Sequence, residues 1–172
     1  MIDIHSHILP GLDDGPESME TAVAMAAMAA RGGTTEIVAT PHASPAYTYD
    51  PEVVEQKIAE LQEASSIRIH RGCDLHLSLQ NIQEALRDPA RYAINGLRYV
   101  LVELPEFFHA PSMDEVFRRM RDAGMSPIIT HPERHPLLQV QEEIVAGWVE
   151  TGCYVQVTGQ SLTGGFGRMA RR

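Results

Sequence analysis

Short apolar runs rich in Ile, Val or Tyr alternate along the chain with longer stretches of helical patterning. The short runs fall at 1–5, 35–40, 67–73, 98–104, 127–131 and 154–158. Each is followed by Pro, Gly or Asp, and each reads as a strand. Helices are expected between them. Residues 18–31 are rich in Ala and Met and stop at Gly32-Gly33, a C-terminal signal. Residues 50–65 open on an Asp cap, with Pro51 at the first helical position. Residues 112–123 carry a capping box, Ser112 with Glu115, and end at Gly124. Residues 141–151 end at Gly152, and 79–87 form a less strongly marked helix. The stripe of Met and Ala from Met19 to Met28 reads as core packing.

Strand starts recur about every 27 to 34 residues, the size of a βα unit. Such alternation predicts an α/β fold with a parallel sheet, because each crossover has to return the length of a strand. No linker, low-complexity stretch or charge block divides the chain, so residues 1–172 read as a single domain of about six βα units. Hydrophobic residues at 44% and charged residues at 22% are ordinary globular usage and exclude a disordered or fibrous chain. The net charge is −9 and Lys57 is the one lysine; with no basic stretch, nucleic acid and anionic membrane are poor partners. No apolar run approaches the roughly 18 residues that span a bilayer, and residues 1–5 lack the regions of a signal peptide. A cytoplasmic protein is expected. Cys73 and Cys153 are too far apart to suggest a disulfide framework or a zinc knuckle.

The chemistry gathers where the strands end. The first runs into His5-Ser6-His7, the second into His42, the third into Asp74, the fourth reaches Glu103 and the fifth His131. In a parallel barrel those ends share the one face on which loops converge on a common site. His5 and His7 are two apart and point to the same side of an extended strand, which suits two imidazoles on one cation or a satisfied pair of core histidines. Asp3 shares their parity and either orients a ligand or bonds nearby backbone. Asp13-Asp14 follow a Pro-Gly turn, so each is a ligand or a turn residue. Glu103 is a carboxylate inside the apolar run 100–104 and needs a partner, a metal or a core-facing arginine. His109 and His135 lie close enough to strand ends to support the site. Mixed imidazole and carboxylate ligands without thiolate suit manganese, iron or zinc, and their number suits more than one ion. Other phosphatase and hydrolase designs are absent. Six positions after Cys73 and Cys153 stand Leu79 and Gly159, where a cysteine phosphatase needs Arg, and no G-x-S-x-G elbow occurs. Metal-activated water is the chemistry left.

Residues 2–15 (IDIHSHILPGLDDG) closely resemble the opening of bacterial PHP-domain (polymerase and histidinol phosphatase) tyrosine phosphatases of the CpsB/YwqE type. Ala39-Thr40-Pro41-His42, Val102-Glu103-Leu104-Pro105, His131-Pro132-Glu133-Arg134, and Gln156-Val157-Thr158 with Ser161-Leu162-Thr163-Gly164 extend the resemblance along the whole chain. It implies a distorted (β/α)7 TIM-like barrel of the PHP type holding two or three divalent ions, manganese first and iron or zinc as alternatives. By position, His5 and His7 would hold one ion, Asp14 and His42 another, Glu103 and His131 the remaining one. Asp74 occupies the slot of a bridging Glu and is one methylene shorter. Arg134 matches the arginine that binds the phosphate. The implied reaction is hydrolysis of phosphotyrosine on a bacterial tyrosine autokinase, regulating capsule or exopolysaccharide synthesis. The alternatives are a histidinol-phosphate-type small-molecule phosphatase and a catalytically incomplete partner-binding domain. The family closes its site with an Asp-x-His on a final strand. None follows Thr158, so the expectation is a family member lacking its final strand or strands.

Overall fold

A computed structural model describes residues 1–171. Its eight strands are β1 (Ile2–Ser6), β2 (Glu36–Ala39), β3 (His42–Ala43), β4 (Arg68–Arg71), β5 (Asp74–His76), β6 (Tyr99–Glu103), β7 (Ser126–Thr130) and β8 (Tyr154–Gln156). The helices between them are α1 (Met19–Arg31), α2 (Pro51–Ala64), α3 (Leu79–Arg87), α4 (Pro89–Tyr92), α5 (Ala110–Asp122) and α6 (Glu142–Glu150), with α7 (Gly159–Leu162) and α8 (Gly167–Arg171) after β8. The alternation of short apolar runs and amphipathic stretches is thus realised as an α/β fold.

Local chemistry sets the starts of the first three helices. The Ser18 hydroxyl accepts from Thr21 N at 3.3 Å, and Asp50 accepts from Glu52 N at 3.0 Å with Pro51 in the first turn. Ser78 caps α3 in the same way, at 3.1 Å from Asn81 N, so the less marked helix is a full one. The expected capping box at Ser112 is not formed. The α5 helix starts at Ala110, two residues earlier, because Pro111 fits the first turn, and Ser112 and Glu115 lie inside the helix.

All strand pairs are parallel, in the orders β1-β2-β4 and β3-β5-β6-β7-β8. The two sheets are one layer bent along a line. At that line β2 gives way to β3 at Thr40-Pro41, and β4 to β5 at Gly72-Cys73. Across the break Gly72 N donates to Ala39 O (2.9 Å) and Asp74 N to Pro41 O (3.1 Å), so the ladder resumes without losing register. The expected single strand at 67–73 is therefore two segments in two sheets. Proline removes a ladder donor on one side of the bend. Glycine permits close contact on the other, where a Cβ at position 72 would lie 2.6 Å from Val38 Cγ1.

The bend carries the far edges toward each other. The side chains of His5 on β1 and Gln156 on β8 meet at 2.9 Å, although no backbone ladder joins these strands and no closed barrel is formed among the described residues. Leu75, Leu101 and Ile129 are fully buried in the sheet, while α2 packs on β4, α5 on β7 and α6 on β8. Phe117 of α5 meets Trp148 of α6 edge to face at 5.1 Å between centroids. No helix among the described residues is long and apolar enough to cross a membrane.

Candidate metal centre

The bend brings the end of β1, the first positions of β3 and β5, the end of β6 and the turn after β7 to one place, and register then decides which side chains become neighbours. His42 stands opposite Asp74, and His76 opposite Glu103, each pair on adjacent strands. His5 and His7 arrive from the end of β1, and His131 follows β7 directly. Three overlapping groups result: His5, Asp74 and His131; His42, Asp74 and Glu103; His7, Asp14 and His42. Within each group one ligand atom per residue lies within 4.8 Å of the others.

Asp74 is the hub. It is fully buried; Oδ1 accepts from the Thr130 hydroxyl at 3.3 Å, and Oδ2 has no hydrogen bond. Oδ2 faces His42 Nδ1 at 3.4 Å and His5 Nε2 at 3.5 Å, and His42 Nδ1 is itself buried without a partner. Burial works to raise the Asp74 pKa, but contact with His5 and the nearby His5, His42 and His131 imidazoles outweigh it, so the carboxyl stays below its ordinary value. His5 titrates above the usual imidazole value: burial opposes the charge, and Asp74 more than compensates. His131 is held below it, chiefly by burial, with the Arg134 and His5 charges adding to that against the pull of Asp74 and Glu103.

The ring nitrogens of His5 and His7 show what this arrangement can hold. His7 Nδ1 lies 2.6 Å from Asp13 Oδ2 and His5 Nδ1 lies 2.9 Å from Gln156 Oε1, while the two Nε2 atoms face each other at 3.2 Å. An unpartnered carboxylate oxygen, an unpartnered imidazole nitrogen and two facing Nε2 atoms are groups that divalent cations satisfy. The donor set therefore fits a multinuclear site of nitrogen and oxygen ligands.

Several expected positions take a definite place in this geometry. Among the described residues Glu103 forms an ion pair with no arginine; its carboxylate faces His76 (3.5 Å), His42 (3.7 Å) and His131 (4.0 Å). Asp14 is mostly exposed, with Oδ1 at 3.7 Å from His42 Nε2 and 3.8 Å from His7 Nδ1. Asp3 accepts from the His5 backbone N–H at 3.1 Å, the backbone alternative of the two expected for it. His109 is exposed at the start of α5, 3.3 Å from the Ser112 hydroxyl. His135 packs on Phe108 and donates from Nε2 to Pro105 O at 3.2 Å, tying the loops after β6 and β7 together. Arg134 borders a cleft of about 210 Å³ with Glu103, Glu106, His131 and His135, and its guanidinium lies 4.3 Å from the Phe166 ring centroid.

Four residues support the site in roles that the sequence does not specify. Asp13, Gln156 and Thr130 touch candidate ligand side chains, and His76 faces Glu103. Asp13 carried a signal in the Asp-Asp pair and Gln156 one in the Gln156-Val157-Thr158 match, while Thr130 carried none. Glu133 is a fifth case of a different kind. Its Oε1 accepts from Thr158 N (3.1 Å), the Thr158 hydroxyl (3.1 Å) and the Ser161 hydroxyl (2.7 Å), which locks the His131–Arg134 turn to the end of β8.

A parallel α/β sheet with imidazoles and carboxylates converging on one site is an arrangement that metal-dependent hydrolases use. Within that class the whole chain, residues 1–172, matches the family described as "Capsular polysaccharide synthesis, CpsB/CapC", and it belongs to that family. It is 33% identical to CapC of Staphylococcus aureus, over all of this chain and 69% of the relative. It is 31% identical to the tyrosine-protein phosphatase YwqE of Bacillus subtilis (strain 168), over 99% of this chain and 69% of the relative. Among solved structures, one of the YwqE/CpsB pair, described as "unique metal-dependent tyrosine phosphatases", superposes with a TM-score of 0.87 at 29% identity, covering 99% of this chain and 71% of that one.

Proposed function

We propose that this chain hydrolyses phosphotyrosine on protein, with His5, His7, Asp14, His42, Asp74, Glu103 and His131 as ligands of two or three divalent ions. The observation that carries the reading is the buried Asp74 oxygen left without a hydrogen bond between two imidazoles. Manganese is the first choice of ion because the family resemblance implies it, with iron or zinc as alternatives that nitrogen and oxygen donors suit as well. When bound, such ions lower the pKa of water and neutralise charge on a phosphoryl group. Arg134 supplies the planar donor fork suited to phosphate oxygens, and Phe166 steadies it from one face. The lowered pKa of His131 favours the neutral imidazole that a metal ligand has to be. His135, engaged with Pro105 O, shapes the cleft wall.

The bent sheet, with His5 and Gln156 in contact across it, supports reading residues 1–172 as one domain and as most of a distorted (β/α)7 TIM-like barrel. The family description supports a role in capsule or exopolysaccharide synthesis, with a bacterial tyrosine autokinase as the phosphotyrosyl partner. Free, buried Cys73 and Cys153 accord with a cytoplasmic setting.

The deciding assay is phosphate release from a phosphotyrosyl peptide by the manganese-loaded chain. Activity should vanish with EDTA and fall about 100-fold or more in Arg134→Ala and His131→Ala. Turnover untouched by either substitution overturns the site assignment, and preferential turnover of histidinol phosphate overturns the substrate.

A further inference from the structure

Two residues outside the ligand set each hold one ligand ring and the backbone of another ligand. The Asp13 side chain is almost completely buried, at 1% exposure, and takes three donors: His7 Nδ1 (2.6 Å), His42 N (3.0 Å) and Gly15 N (2.9 Å). A side chain at position 15 would collide with the His7 carbonyl oxygen, so this turn requires glycine. On the opposite side, Gln156 meets His5 Nδ1 through Oε1 (2.9 Å), and its main-chain oxygen accepts from His131 N (2.8 Å). An ionised carboxylate and an amide oxygen only accept, so each of these contacts puts the imidazole hydrogen on Nδ1. With both rings neutral, both Nε2 atoms then present lone pairs; those atoms are 3.2 Å apart, and that of His5 also faces Asp74 Oδ2 at 3.5 Å. Lone pairs gathered in this way repel unless a proton or a metal cation lies between them.

We infer that Asp13 and Gln156 are positioning residues that fix His7 and His5 in the Nδ1–H tautomer and thereby direct both Nε2 atoms onto a single cation. The inference rests on the metal-site reading above. The same two residues set the spacing of the site, since Asp13 ties the His7 segment to β3 and Gln156 ties β8 to the His131 turn. Partners of this kind contribute about 10- to 100-fold in metal affinity.

The test is Mn²⁺ affinity, measured by competition with a chelating dye, together with long-range ¹H–¹⁵N spectra of the metal-free protein at pH 8. Asp13→Asn leaves a donor facing a donor whichever way the amide turns, and Gln156→Leu removes the acceptor. Each should weaken the tightest Mn²⁺ site about 10- to 100-fold. Gln156→Glu, whose oxygens only accept, should stay within a few-fold of wild type. The wild-type spectra should show Nδ1–H on both His5 and His7, with His7 altered in Asp13→Asn and His5 in Gln156→Leu. Wild-type affinity in both weakened variants, or Nε2–H on either ring of the wild type, overturns the inference. The wild-type spectra decide it even where a variant fails to fold. A wild-type chain with both tautomers as stated but no Mn²⁺ binding overturns the metal reading instead.

Discussion

His131 adopts φ +33° and ψ +49°, a left-handed conformation that residues other than glycine rarely take. Strain of this kind, of order 1–3 kcal/mol, persists only where surrounding contacts over-determine it. Here the backbone N–H is held by Gln156 O at 2.8 Å, and the following turn is locked through Glu133 to Thr158 and Ser161. Away from the site, Glu36 on β2 forms a simpler pair. Asn95 donates to His70 Nδ1 (3.2 Å), which leaves Nε2 to donate to Glu36 at 2.7 Å. That hydrogen bond, with help from Arg68 and the His70 charge, lowers the Glu36 pKa below its ordinary 4.5. A depressed carboxyl pKa contributes stability that is present above the unfolded value and lost as pH falls through the folded one. Between about pH 5 and pH 3 the melting temperature of wild type should therefore fall more steeply than that of Glu36→Gln. Parallel melting curves over that range would sink the assignment.

At the level of elements, the bend between β4 and β5 is what turns Asp74 into the hub. Gly72 packs against Val38 and Thr40, with no room for a methyl group, and Asp74 starts β5 two residues later. Gly72→Ala should destabilise the fold by about 1–3 kcal/mol through overpacking, read in urea unfolding. It should also weaken Mn²⁺ binding, because relief of the clash moves the strand that carries Asp74. Unchanged stability would show that the two strands separate easily at this line. The α5 start makes a complementary point: Pro111, compatible with the first turn, lets the helix begin ahead of the Ser112 cap that local pattern alone would choose.

Across the whole molecule, the proposed ligands come together from β1, β3, β5, β6 and the turn after β7, so an ion cluster held there would pin five segments of the sheet. The chain carries a net charge of −9, and carboxylates gathered without counter-ions repel one another. Cations binding the folded site alone should stabilise the whole domain. At about 100 times the dissociation constant the gain is about 2.7 kcal/mol, a rise of roughly 5 to 10 °C in melting temperature for a chain of this size. Differential scanning fluorimetry with MnCl₂, reversed by EDTA, reads this directly. A melting point indifferent to divalent ions would contradict the site.

Much of this was legible along the chain. Strand and helix positions follow from patterns local to a few residues, and β1, β2, β6 and β7 fall within a residue or two of the expected runs. The proposed ligands stand out in the sequence because His5, His7, His42, Asp74, Glu103 and His131 interrupt or end apolar runs, where polar groups need a reason. What the sequence by itself determined is therefore the α/β alternation and the list of side chains delivered to one site. Tertiary structure alone decided how they are shared. The split at Gly72 depends on Val38 and Thr40 packing against it, and the grouping of His42 with Asp74 depends on strand register. The partner of His5, Gln156, is distant in sequence and arrives only when the sheet bends. Contacts of that kind are made by chain segments with no local sequence relation, so only the closed geometry of the sheet could select them.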